Sequence, residues 1–149
     1  MSAPRDSVRV AHVVAAPPDA VWRALTVDRA EWWPDLRFDA VIGAPLVETW
    51  IEAGRQRQAH GVVTSCEEPG LLAFRWREDG WSAPLEVTFR LEPHGSATSV
   101  TITETGFRRA NVSPTLADEH EEGWSYHLTR LARACGMIEA YRPRTERTP

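Results

Sequence analysis

The sequence predicts an α+β fold, a curved antiparallel sheet gripping a long C-terminal helix, and three observations carry that prediction. Residues 37–105 hold short β-rich runs broken by turn signals, with no sustained helical period. The turns between those runs are short, which makes neighbouring strands antiparallel. After them an apolar stripe continues at helical spacing for about twice the mean helix length, and a long helix with one apolar stripe has to be covered by a sheet.

In chain order, Val8, Val10, His12 and Val14 alternate with Arg9, Ala11 and Val13, a half-buried first strand that ends at Ala15-Ala16-Pro17-Pro18. Pro18 suits the first turn of a helix and Asp19 its positive end, and Val21, Trp22 and Leu25 recur at helical spacing, so a short helix is expected over 18–25. Thr26 and Asp28 offer caps for a second short helix through Ala30, Glu31, Trp32 and Trp33, which has to stop near Pro34. Strands follow over 45–51, 55–67, 71–77, 85–92 and 96–105, separated by Ala53-Gly54, Glu68-Pro69-Gly70, Asp79-Gly80 and Pro93-His94-Gly95. Their clearest alternations are Leu72, Phe74, Trp76; then Leu85, Val87, Phe89, Leu91; then Val100, Ile102, Glu104, which puts one face in the core and one in water.

From Gly106 a loop is expected to reach Ser113, a good N-cap, and Pro114, with the last helix starting there or a few residues later and running to about Tyr141. Leu116, His120, Trp124, His127, Leu128, Leu131, Cys135 and Ile138 share its apolar face, while Glu119, Glu122, Arg130 and Arg133 fall elsewhere. Residues 8–141 are therefore expected as a single domain, with 1–7 and 142–149 as flexible tails.

Composition limits the function classes. With 42% hydrophobic and 26% charged residues the chain is neither disordered nor membrane-like, and its 149 residues suffice for one real core. Net charge is −4 and no run of Lys or Arg occurs, so the basic footprint of nucleic-acid binding is missing. Cys66 and Cys135 show no CxxC or Cys/His metal spacing and are expected as free thiols of a reducing compartment. No signal-peptide core precedes Val14 and no stretch reaches the roughly 18 apolar residues of a membrane span, so a cytoplasmic location is expected. The departure from average is seven Trp against two Tyr and four Phe. Trp buries a large rigid surface and carries an N–H that wants a partner, so it serves either a core or a pocket wall.

Specific segments sharpen the fold. PPDAVWRALTVDRAEWWP resembles the "P-x-x-V-W-x-A-L-T" opening of the activator-of-heat-shock-protein-ATPase-like branch of the START-related (SRPBCC) superfamily, and HGVVTSCEEPGLLAFRW resembles that branch's "G-x-V-x-x-x-x-P-x-x-L-x-F-x-W" sheet segment. TSVTITETGF and EGWSYHLTRLARAC are similar to its penultimate strand and its "G-W-x-x-x-L-x-x-L" final helix. The chain departs from the branch at Gly43-Ala44-Pro45, where members often carry a Gly-Gly turn. The resemblance implies a helix-grip (START-like, Bet v 1-like) fold of bacterial type. It does not by itself imply an activity, because the branch shares architecture and scatters functions.

A sheet curled round a helix leaves a cavity lined from both sides. At about 24 cal/mol per Å³, an empty void of roughly 300 Å³ would cost about 7 kcal/mol, so water, a ligand or bulky side chains should fill it. The primary expectation is a cavity that binds a small hydrophobic or aromatic molecule, with Phe74, Trp76, Phe89, Glu104, His120, Trp124 and His127 as ligand-binding candidates. Trp124 follows Gly123, whose missing side chain serves either close approach by a ligand or tight helix-to-sheet packing. Trp76 is preferred to Trp50, whose strand has no clear inward phase.

His120 and His127 lie seven residues apart, about 10.5 Å along a helix, which suits one zinc ion poorly. Each is read as a satisfied, partly buried histidine, and no metal site or cofactor is assigned. Glu104 continues the inward phase and is the best polar candidate; the plainer reading, preferred on sequence, leaves it at the strand end half in water. Arg75 and Arg90 fall on polar phases and are expected in solvent.

No GxSxG, Walker-type, GxGxxG, HExxH or CxxC signature occurs. An alternative from the enzyme class is a polyketide cyclase- or dehydratase-like activity, which the resemblance allows, using Glu104 with His120 or His127 in proton transfer. A third reading is a co-chaperone-like protein-interaction module anchored by exposed Trp32 and Trp33. Oligomeric state is left open, a homodimer included.

Overall fold

The computed structural model describes residues 5–147, and side chains through residue 136. Seven antiparallel strands form one sheet in the order β1-β7-β6-β5-β4-β3-β2. They are β1 (Ser7–Val14), β2 (Leu36–Arg37), β3 (Pro45–Glu52), β4 (Arg55–Glu67), β5 (Leu71–Arg77), β6 (Leu85–His94) and β7 (Ala97–Thr105). The helices are α1 (Pro18–Leu25), α2 (Phe107–Ala110) and α3 (Leu116–Arg147), with a 3-10 turn at Arg29–Glu31 after α1. This is the expected helix-grip architecture.

The β3–β7 meander follows the alternations directly. Leu85, Val87, Phe89 and Leu91 of β6 and Thr98, Val100, Ile102 and Glu104 of β7 all point inward, and each strand pairs with its successor. The first strand closes the sheet against the last, Val8 opposite Glu104 and Val10 opposite Ile102. Within β1 the inward phase fails at His12, which is exposed. At Gly43-Ala44-Pro45 the register is set by backbone bonds from Gly43 N–H to the Val63 carbonyl and from Val63 N–H to the Ala44 carbonyl, 2.8 and 2.9 Å. Gly61 in β4 is where the neighbouring backbone comes closest: a Cβ there would lie 1.8 Å from the Arg75 carbonyl oxygen, so only glycine fits.

Four elements differ from the sequence expectation: the second short helix, β2, α2 and the end of α3. The second short helix expected after strand one is present as a 3-10 helix, Arg29–Glu31, that stops before Trp32 and Trp33, and Arg29 shows why. Its buried guanidinium lies 3.8 Å from the Phe38 ring centroid and donates to the carbonyls of Leu36 and Phe38 at 2.8 and 2.9 Å, which draws the chain straight into β2. Helix α2 forms where a loop is expected, because Asp6 caps it from far away in sequence. The Asp6 carbonyl accepts from the Gly106 and Phe107 N–H groups and its Oδ1 from the Arg108 N–H. Helix α3 starts at Leu116 and continues to Arg147, past the expected end near Tyr141.

Along α3, Ala117, Trp124, Leu128, Leu131 and Cys135 are buried and Leu116, His120 and His127 half-buried, so the apolar stripe faces the sheet. Ile138 has its side chain outside the described residues. The helix makes its closest approach to β1 and α1. Toward β3, β4 and β5 only large side chains bridge the distance, and that side is where the molecule is hollow. Neither Cys66 nor Cys135 is in a disulfide, and the Cys66 thiol donates to the Ala40 carbonyl at 3.2 Å. Among the described residues no helix is long and apolar enough to cross a membrane.

Candidate functional site

A cleft of about 540 Å³ opens between the β3–β5 side of the sheet, the β5–β6 turn and the first half of α3. That volume lies within the range of small-molecule sites. Indoles of Trp50, Trp76, Trp81 and Trp124 face it, with the imidazoles of His120 and His127 and the carboxyls of Glu48 and Glu78.

Behind the wall, Glu104 organises the polar side. The strand phase buries its side chain completely, 0% exposed. A carboxylate so placed is costly unless donors meet it, and three do. Trp76 Nε1–H donates to Oε2 at 2.8 Å, and Trp124 Nε1–H and His120 Nδ1 meet Oε1 at 2.8 and 2.7 Å. Glu104 is therefore not half in water, contrary to the plainer sequence reading. The Glu104 bonds hold Trp76 and Trp124 stacked at 5.7 Å between centroids and 26° between planes. His120 feels two opposed effects: burial lowers its pKa, but the hydrogen bond and charge of Glu104 outweigh it, and the net displacement is upward. With Nδ1 donating to Glu104, the other ring nitrogen is left to exchange a proton.

The opposite side rests on Trp33. Its ring stacks on His127, 3.8 Å between centroids and 15° between planes, and its Nε1–H donates to Glu48 at 3.1 Å. Burial, helped by Arg130, pushes the His127 pKa down to about 4, so the ring is neutral at physiological pH. Its Nδ1 is buried without a hydrogen-bond partner among the described residues, so the expectation of a satisfied histidine holds for His120 and not for His127. Burial pushes Glu48 up to about 7, partly offset by the Trp33 N–H. Burial also raises Glu78, against the lowering effect of Arg57 at 3.3 Å.

Of the sequence candidates, Trp76, His120, Trp124 and His127 stand at the cleft and Glu104 directly behind it. Phe74 and Phe89 do not line it. They are 1% and 2% exposed and fill the core behind the indoles, Phe74 5.2 Å from Trp76 and Phe89 5.6 Å from Trp124. Arg75 and Arg90 are exposed. Gly123 has nothing within 4 Å of a notional Cβ, so it borders open cleft and is not a tight packing contact with the sheet. Trp32 and Trp33 are 5% and 4% exposed, and Trp32 Nε1–H donates to the Ala24 carbonyl at 2.7 Å, so the exposed anchor expected of a protein-interaction module is absent at that pair.

Sequence reasoning missed Glu48, Glu78 and Trp81. Glu48 shares a strand with Trp50, for which no inward phase is clear, Glu78 lies just past the end of β5, and Trp81 lies beyond the Asp79-Gly80 turn outside any periodic run. A Trp beside a tight turn was the one available signal.

The model of the Activator of Hsp90 ATPase homolog 1-like protein family matches residues 15–136. Among solved structures, DynU16, a protein in the dynemicin biosynthetic locus, is 30% identical with a TM-score of 0.72 over 87% of this chain, and the chain spans about half of that protein, 47%. CalU16 from Micromonospora echinospora is 26% identical with a TM-score of 0.66, covering 85% of this chain and 72% of that one. The Aha1 dimer from Colwellia psychrerythraea shares the fold at 18% identity with a TM-score of 0.71, over 88% of this chain and 96% of that one. No curated protein matches the chain.

Proposed function

The chain belongs to the Activator of Hsp90 ATPase homolog 1-like family, and from that premise we propose that it binds a small, largely aromatic molecule in the cleft between the sheet and α3. The observation that carries this reading is a cleft of about 540 Å³ walled by four indoles, two of them locked in place by one buried carboxylate. Preset aromatic walls lower the ordering cost of binding. The likeness to a protein of a biosynthetic locus supports a small molecule as the partner. Native mass spectrometry of freshly purified protein, followed by a thermal-shift screen of aromatic compounds, tests it, because a ligand of the folded state raises Tm by mass action. Trp81→Ala, at the half-buried rim, should remove the shift and leave the unliganded Tm within about 2 °C. A screen in which nothing co-purifies and nothing raises Tm would sink the reading.

A second reading is favoured by the 2.7 Å contact between Glu104 and His120 at the cleft wall. A carboxylate that fixes one imidazole nitrogen orients the other for general acid–base work, as a cyclase- or dehydratase-like reaction on a polyketide-type substrate needs. His120→Gln would then abolish turnover and keep binding; equal turnover in wild type and variant would remove His120 from the chemistry.

A further inference from the structure

We propose that the cleft selects an organic cation, an ammonium group set against Glu48 with its apolar body against Trp50, Trp81 and Trp124. The inference rests on the ligand-binding reading and adds the sign of the ligand's charge. Its first support is the balance of charge in the walls. The lining contains Glu48, Glu52, Glu78, Asp79 and Glu119, and its guanidinium is Arg57. That cation is already engaged by Glu78 at 3.3 Å, and the charge of His120 is answered by Glu104 at 2.7 Å. His127 is held neutral by burial and by Arg130.

Among the described residues Glu48 is left without a paired cation. Among the described residues its side chain takes one hydrogen bond, from the neutral Trp33 indole, and makes no ion pair; His120 acts on it only through space. Such a carboxyl resists ionising where it sits, and a bound cation would relieve that cost. The second support does not involve the carboxyls: the remaining wall is indole, and indole attracts cations most strongly of the aromatic side chains. An uncharged ligand of equal size gains the walls but leaves Glu48 unanswered, and an anion meets five carboxyls.

Isothermal titration of the full chain with three probes on one skeleton decides the sign: 2-naphthylmethylammonium, 2-naphthylmethanol and 2-naphthoate. At about pH 8, where both the ammonium and most of Glu48 are charged, the ammonium should bind about tenfold more tightly than the alcohol, and the naphthoate most weakly. In Glu48→Gln the preference of ammonium over alcohol should fall to about twofold. An alcohol that matches the ammonium in the wild type, or a preference that survives Glu48→Gln in a folded variant, overturns the cation inference and leaves the ligand-binding reading standing. Failure of all three probes to bind at about 1 mM overturns both. The wild-type comparison decides the sign even where the variant does not fold.

Discussion

At the scale of single residues, the site contrasts a buried carboxyl and a half-buried one with opposite environments. Glu104 meets three N–H donors, and Glu48 meets one and is half-buried, with desolvation opposing its charge. Removing the first should therefore hurt and neutralising the second should help. Glu104→Gln places an NH₂ among donors and leaves at least one of them unpaired, so urea unfolding should show a loss of about 2–4 kcal/mol. A loss below about 0.5 kcal/mol would mean that the network contributes little.

For Glu48, raised from 4.5 to about 7, the folded state binds more protons than the unfolded one between those values, so this group lowers stability as pH rises through the window. Glu48→Gln should flatten that slope and add about 1–3 kcal/mol above pH 7. An unchanged pH profile in the variant would contradict the burial argument. His127 has the opposite sign. With its folded pKa lowered from 6.5 to about 4, the unfolded state binds the extra proton, and stability is lost as pH falls through that range. Imidazole NMR titration should find His127 titrating near 4 and His120 above its ordinary value of 6.5. Two overlapping curves would remove the electrostatic distinction between them.

Between elements, two glycines separate fold from function. Gly61 lies where the β4 and β5 backbones meet, and Gly61→Ala, with its Cβ 1.8 Å from a carbonyl oxygen, should split that pairing and cost several kcal/mol, at least about 3. Gly123 faces open space on α3, so Gly123→Ala should stabilise the helix by about 0.5–1 kcal/mol. Gly123→Leu should also project into the cleft and abolish ligand binding in a folded protein. Chemical denaturation checks the first pair and the thermal-shift assay the last. If Gly61→Ala costs no more than Gly123→Ala gains, the close approach of β4 to β5 is not what shapes the sheet.

Across the whole molecule, the local pattern was enough for most elements. Periodicity and turn residues gave β4, β5 and α1 their bounds as the structure has them, because each is made by neighbours in sequence: alternation for a strand, Pro18 and Asp19 for a helix start. The same phase argument put Trp76, Trp124, His120 and Glu104 on inward faces, and their side chains converge there. The elements and placements that the local pattern did not give are held by distant partners. Helix α2 exists because Asp6 caps it, β2 because Arg29 gathers its carbonyls, and Phe74 and Phe89 lie behind the cleft because Trp76 and Trp124 stand in front of them. The sequence by itself determined the family, the antiparallel sheet with its long helix, and which faces are apolar, since those follow from spacing along the chain. Only the tertiary structure decided that α3 leans toward β1 and leaves a cleft beside β3–β5, that Glu104 is buried and satisfied, and that Glu48 stands half-buried at the cleft wall with no cation paired to it among the described residues. Those outcomes depend on distances between elements remote in sequence, which no local period encodes.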